Sequence, residues 1–145
     1  MRRVFVIRKD LHLTAGKLAA MVSHCAEAYW TRLISANAIQ TDKDYNIKFS
    51  ISKNIMNNYI NDIFTKTICE ARNLNQLNKA KVIADELGLV ENVDYGFIDD
   101  CCKTELTPEF TDENGIGRCR VGIWFKPLDD ETAQKISKKF PLYKD

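Results

Sequence analysis

Residues 3–25, RVFVIRKDLHLTAGKLAAMVSHC, hold two patterns back to back. The first six letters, Arg3 to Arg8, are β-branched and almost wholly apolar, the composition of a strand covered on both faces in the middle of an α/β sheet. Past Thr14, a residue type that caps helices, the spacing changes. Leu18, Val22, Cys25, Tyr29 and Leu33 recur at steps of three or four, the period of an amphipathic helix expected to end before Asn37. A buried strand running into such a helix predicts an α/β fold.

The rest of the chain extends that pattern. TKTICEA (Thr65 to Ala71) reads as a second core strand. Asn73 and Gln76 stand in capping positions for a helix with Leu74, Leu77, Ala80, Ala84 and Leu87 inward, and Gly88 is placed to stop it. A third strand is expected at Tyr95 to Asp99. A fourth is expected at CRVGIWFK, where Cys119, Val121, Ile123 and Phe125 alternate with Arg120, Gly122, Trp124 and Lys126. The last helix carries Asp129, Asp130 and Glu131 at its start and Lys138 and Lys139 at its end, each sign suited to the helix dipole. Residues 36–64 read as an insert with mixed signals: YNIKFSIS alternates like a strand, whereas Ile55, Met56, Tyr59, Ile60 and Ile63 repeat like a short helix. The prediction is one domain over residues 1–145, a mixed four-stranded sheet flanked by helices in three layers, α/β/α. Residues 100–118 form a long link, read as a polar hairpin turning at Asn114 and Gly115.

Composition bounds the setting. With 145 residues, 45% hydrophobic and 28% charged, the chain is long enough for one core without staples. The opening VFVI is far shorter than a signal-peptide core, and no segment reaches membrane-spanning length. Five cysteines, odd in number and without metal spacing, predict neither a disulfide framework nor a zinc site, which suits a reducing cytoplasm. The net charge of +1 hides segregation: residues 1–17 carry five Arg or Lys against one acid, and residues 84–114 ten acids against Lys103. A basic amino-terminal region can meet phosphates even in a nearly neutral protein.

Seven residues separate Lys17 from His24, about two helical turns, so both project from nearly one face with their backbones roughly 10 Å apart. Ala20 and Met21 lie between them, and a residue as small as alanine lets a ligand come close. Lys17 also sits in the first turn, where free amides favour an anion. Histidine's ordinary pKa near ~6.5 permits acid or base work at neutral pH. Asp100 and Thr104 follow the third strand, and Arg8, Lys9 and Asp10 follow the first; strand ends of this kind gather ligand sites in open α/β sheets. Cys25 adjoins His24, but neighbouring helix positions point about 100° apart and do not pair. Cys101 and Cys102 lie among acids, which raise a thiol pKa. Solvated or turn-capping roles are open to each of these polar residues taken singly.

The segments VFVIRKDL, GKLAAMVSHCA, DDCCKTELTP and KKFPLYK together resemble the type-2 peptidyl-tRNA hydrolases, the archaeal and eukaryotic kind. The family counterparts of the first three read approximately as R-x-D-L, G-K-x-A-A-Q-x-x-H-A and D-A-G-x-T-x-x-x-P-G. The resemblance covers most of the chain apart from residues 36–64. It implies a mixed four-stranded sheet flanked by helices, and hydrolysis of the ester joining a peptide to the terminal ribose of tRNA. By motif it carries over Lys17, His24, Asp100 and Thr104 as the catalytic positions, with Arg8 and Asp10 supporting, and by their place in the chain Lys9, Ala20 and Met21 are expected beside them at the substrate. The partner implied is tRNA, with no cofactor or metal and with room for a homodimer. Arg2, Arg3, Arg8, Lys9 and Lys17 are the basic residues expected to guide the tRNA backbone. The chain departs from the pattern at Met21, Cys25, Cys101, Cys102 and Glu109. A cysteine at 102 is awkward if the backbone there takes a positive φ. These departures keep two other readings open, a non-catalytic RNA- or protein-binding module on the same scaffold and a small-molecule ester or amide hydrolase.

Overall fold

A computed structural model describes residues 1–145. In chain order its elements are β1 (Arg3–Arg8), α1 (Ala15–Ala36), β2 (Ala38–Gln40), β3 (Tyr45–Ile47) and α2 (Lys53–Ile55), which continues into a π-helical turn (Met56–Ile60). There follow β4 (Lys66–Ala71), α3 (Leu74–Glu86), β5 (Tyr95–Asp100), β6 (Phe110–Thr111), β7 (Gly117–Phe125) and α4 (Asp130–Ser137).

Every residue of β1 is buried, because the strand is enclosed on both edges and both faces. It pairs in parallel with β4, from Arg3 opposite Lys66 to Arg8 opposite Ala71, and antiparallel with β7. The sheet order is β4-β1-β7-β5, so β5 is an outer strand, and β6 adds a short pairing to the start of β7. The mixed four-stranded sheet is therefore present, with β6 as an extension. Leu77, Ala80 and Ala84 of α3 and Ala133 and Ile136 of α4 pack on Val4, Val6, Cys69, Ile123 and Phe125 on one face. Met21, Cys25 and Tyr29 of α1 pack on Phe5, Ile7, Val121 and Trp124 on the other.

Local signals explain much of this. Asn73 accepts the Gln76 amide at 2.9 Å while the Gln76 side chain accepts the Arg72 amide, a reciprocal cap at the start of α3. Gly88, at φ +78°, closes that helix with its amide bonded to Asp85 at 3.0 Å. Thr14 occupies the N-cap of α1 but makes no side-chain cap. A fully buried methionine contributes about 1.5–3 kcal/mol, so Met21 alone outweighs the missing cap at about 1 kcal/mol.

Two expectations need correction. In β7 the pairing slips between Ile98 opposite Gly122 and Asp99 opposite Arg120, leaving Val121 as the extra residue of a β-bulge. Val121 therefore joins Trp124 under α1 while Ile123 and Phe125 face α3 and α4, so the simple alternation from Cys119 to Lys126 does not hold. The insert also resolves differently: only Tyr45–Ile47 of YNIKFSIS is strand, in a small hairpin with β2, and the helical signal is spent on α2 and its π turn.

Trp124 lies across Gly96 of the neighbouring strand, and a Cβ at Gly96 would sit 2.8 Å from the indole ring. Gly96→Ala is expected to cost about 1–3 kcal/mol of stability, read as a lower urea midpoint with an unchanged slope.

Candidate active site

Successive residues of a strand face opposite ways. In β5, Phe97 packs against the cluster under α3 and α4 and Ile98 against that under α1, which turns Asp100 toward α1. Its Oδ1 accepts a hydrogen bond from Lys17 Nζ at 2.8 Å, and the same ammonium donates to Thr104 Oγ1 at 3.2 Å. The two charged side chains are mostly enclosed, 14% and 9% exposed. The loop beyond β5 is tied to the start of α1 a second time: Glu105 accepts the Thr14 amide at 3.1 Å and the Thr14 hydroxyl at 2.7 Å. The hydroxyl that could have capped its own helix is engaged there instead.

Burial raises the pKa of Asp100, but the Lys17 hydrogen bond, the Cys102 amide and the charges of Lys17 and His24 more than offset it, so the carboxyl titrates below its usual range. Its second oxygen takes that Cys102 amide at 2.9 Å. Cys102 holds φ +58° to make the contact, the left-handed conformation in which a side chain costs about 1–2 kcal/mol. The Cys102 thiol is pushed up by burial and by Asp100, and burial pushes Cys25 up to about 12. Neither is an activated nucleophile. His24 is exposed on α1, near enough for its charge to act on Asp100, and takes none of the hydrogen bonds that hold the carboxylate.

Lys17, Asp100, Thr104 and His24 thus form one corner. Arg8 and Asp10 form a neighbouring network rather than part of it: Arg8 donates to Asp10 at 3.1 and 2.9 Å and to both oxygens of Glu109 at 2.7 and 2.9 Å. Burial lowers the Arg8 pKa, but these two carboxylates more than offset it and the net shift is upward. At 4% exposure Arg8 is closed to solvent, and Arg3 is wholly buried, so two of the five basic residues expected to guide RNA are internal. Lys9 stands apart, 3.8 Å from Glu70 and 4.3 Å from the Tyr143 ring centre. Ala20 is partly buried, and Met21, 1% exposed, is a core residue under α1 rather than a surface contact. It stands four residues before Cys25, a step that fits the core stripe, although the sequence reading placed it only between Lys17 and His24.

Two acids escaped the sequence reading as working parts. Glu105 carried no signal beyond its charge, and Glu109 stood out only as a departure from a family glycine. No group of three or more His, Cys, Asp or Glu is arranged to hold a metal ion.

The Peptidyl-tRNA hydrolase PTH2 family model matches residues 1–143. The chain is also 25% identical over 141 residues to a peptidyl-tRNA hydrolase of Thermoplasma acidophilum, covering 97% of each. The chain belongs to the peptidyl-tRNA hydrolase PTH2 family, enzymes that hydrolyse peptidyl-tRNA.

Two outcomes follow for stability. Cys102→Gly is expected to raise it by about 1 kcal/mol, read as a higher melting temperature. Glu109 titrates below its ordinary range because Arg8 holds it charged, against the pull of burial. A carboxyl lowered in the fold stabilises above its unfolded pKa, about 4.3, and the contribution is lost as pH falls through the lower folded value. Glu109→Gln should therefore cost about 1–2 kcal/mol at pH 7, less than a fully buried pair because Asp10 remains and Glu109 is part-exposed. The gap from the unsubstituted protein should narrow in unfolding curves as pH falls below the unfolded value.

Proposed function

We propose that the corner formed by Lys17, His24, Asp100 and Thr104 carries out the cleavage of peptidyl-tRNA. The observation that supports it is the 2.8 Å pair between Lys17 and Asp100, which joins the first turn of α1 to the end of β5 across 83 residues of chain. An ammonium has three N–H donors. Asp100 and Thr104 take two, and the third is available to an oxyanion.

Asp100, ionised and bonded to Lys17, is a weak base and serves to aim the ammonium. His24, exposed beside it, is the group that accepts a proton from water. Water adds to the ester carbonyl carbon while its proton passes to the imidazole; Lys17 stabilises the oxygen that gains charge. Collapse breaks the bond to the ribose oxygen, which takes the proton back from His24 and leaves as the tRNA hydroxyl. The peptide leaves as a carboxylic acid, which gives its remaining proton to solvent. Thr104 holds the ammonium and the water in register. Lys103, exposed beside Thr104, is a cation left to meet the RNA backbone, so binding weakens as salt rises. All five thiols are free, in keeping with a reducing cytoplasm.

The test is release of labelled peptide from peptidyl-tRNA, with aminoacyl-tRNA as control. Lys17→Ala and Asp100→Asn should each lower kcat by about 10²-fold or more in a protein that stays folded but melts lower, because each breaks an enclosed ion pair; His24→Ala should lower kcat similarly with unchanged melting behaviour. Full activity in the Lys17 and Asp100 variants would refute the site. Binding of tRNA with no peptide released would instead define a binding module.

A further inference from the structure

The stripe of α1 that carries His24 continues at Ala28, Thr31 and Ser35, steps of four, three and four residues that keep one face. All three are small. They form one wall of a groove of about 390 Å³ whose other lining comes from Arg32, Phe97, Ile98 and Trp124. Ile98 lies two residues before Asp100 on the same face of β5, about 7 Å away along the strand, and Ala28 lies about 6 Å beyond His24 along the helix. The groove therefore lies next to the catalytic corner, between α1 and the sheet's outer strand.

A second observation points to an occupant. Trp124 is fully buried and its ring lines this groove, yet its indole Nε1–H has no hydrogen-bond partner. A buried donor left unpaired costs about 1–3 kcal/mol. Gly96, directly beneath the ring, is what makes room for the indole there. The guanidinium of Arg32 lies 5.8 Å from the ring centre and is the groove's one charge.

We propose that this groove holds the peptide arm of the substrate, extended along α1, with a small shift of the enclosed Trp124 ring letting a peptide carbonyl accept its Nε1–H. The proposal rests on the reaction assigned above. The lining favours peptide over RNA: a single cation among alanine, threonine, serine, phenylalanine, isoleucine and tryptophan is a poor track for phosphates, whereas apolar side chains and carbonyl oxygens match it. From His24 to Ser35 the helix rises about 16 Å, the span of about five extended residues. Cleavage should therefore gain from added peptide length up to that number and no further.

Two substrates on one tRNA separate the possibilities, one carrying a single N-acetylated residue and one an apolar peptide of about six residues. Thr31 is exposed, so Thr31→Trp fills the groove without entering the core. It should lower kcat/KM on the long-peptide substrate about tenfold, through KM, while leaving the single-residue substrate within about twofold. Trp124→Phe, which keeps an aromatic ring, though a smaller one, and removes the donor, should cost the long substrate about threefold to tenfold. Equal losses on both substrates, or none on either, would overturn the proposal; the former would point to the RNA arm. Titration of the free peptide, followed by NMR shifts of the Trp124 indole, reads the groove without catalysis: saturable shifts abolished by Thr31→Trp support it, and their absence overturns it. An enzyme that cleaves neither substrate yet binds the peptide would refute the reaction and leave the groove.

Discussion

A guanidinium with no carboxylate beside it lies under α1. Arg3, wholly buried, donates from Nε to the Phe125 carbonyl at 2.8 Å and from its two terminal nitrogens to Ala26 and Cys25 at 2.6 and 3.0 Å. Burial lowers its pKa, and a buried charge persists only where dipoles replace water. Three carbonyls do so here, with the Phe5 ring 4.8 Å away. Those carbonyls come from a central strand and from the middle of the helix, so sliding α1 along the sheet would strand the charge. The register of α1 is thereby set, and with it the place of Lys17 and His24, which the same rigid helix carries.

At the opposite end of β1 the charges are handled differently. Arg8 is enclosed but paired with Asp10 and Glu109, so it neutralises acids rather than awaiting RNA. Lys17 is paired too, yet through one donor to Asp100 and one to Thr104, which leaves capacity for a ligand. Both arginines belong to the architecture, whereas the lysine keeps a donor for the chemistry proposed above. The difference lies in donor count against acceptors present, a distinction that charge alone does not show.

Cys102 illustrates how one departure from the family pattern is accommodated. Its amide is needed on Asp100, and delivering it demands a left-handed backbone that glycine adopts freely. The cysteine accepts the strain because the carboxylate gains a donor in an enclosed place. Met21 is a different case: it turns inward and supplies core contact under α1, so no side-chain amide is present on that surface.

Period and punctuation were enough to read β1, α1, the reciprocal cap of α3, its stop at Gly88 and the turn at Asn114 and Gly115, because each depends on neighbours within a few residues. The stripe holding Lys17 and His24 was legible for the same reason. Residues 36–64 were not, since their elements are only three to five residues long and mostly exposed, too short for a hydrophobic period to mark them. The bulge at Val121, the burial of Arg3, the pairing of Arg8 with Glu109 across 101 residues and the capture of Thr14 by Glu105 were equally hidden. Each is decided by which distant group arrives opposite, and by the cost of leaving a buried polar group without a partner. The letters alone determined the principal strands and helices and the residue types able to do chemistry. Tertiary structure chose which of those charges would be enclosed and matched, and which one would keep a donor to offer.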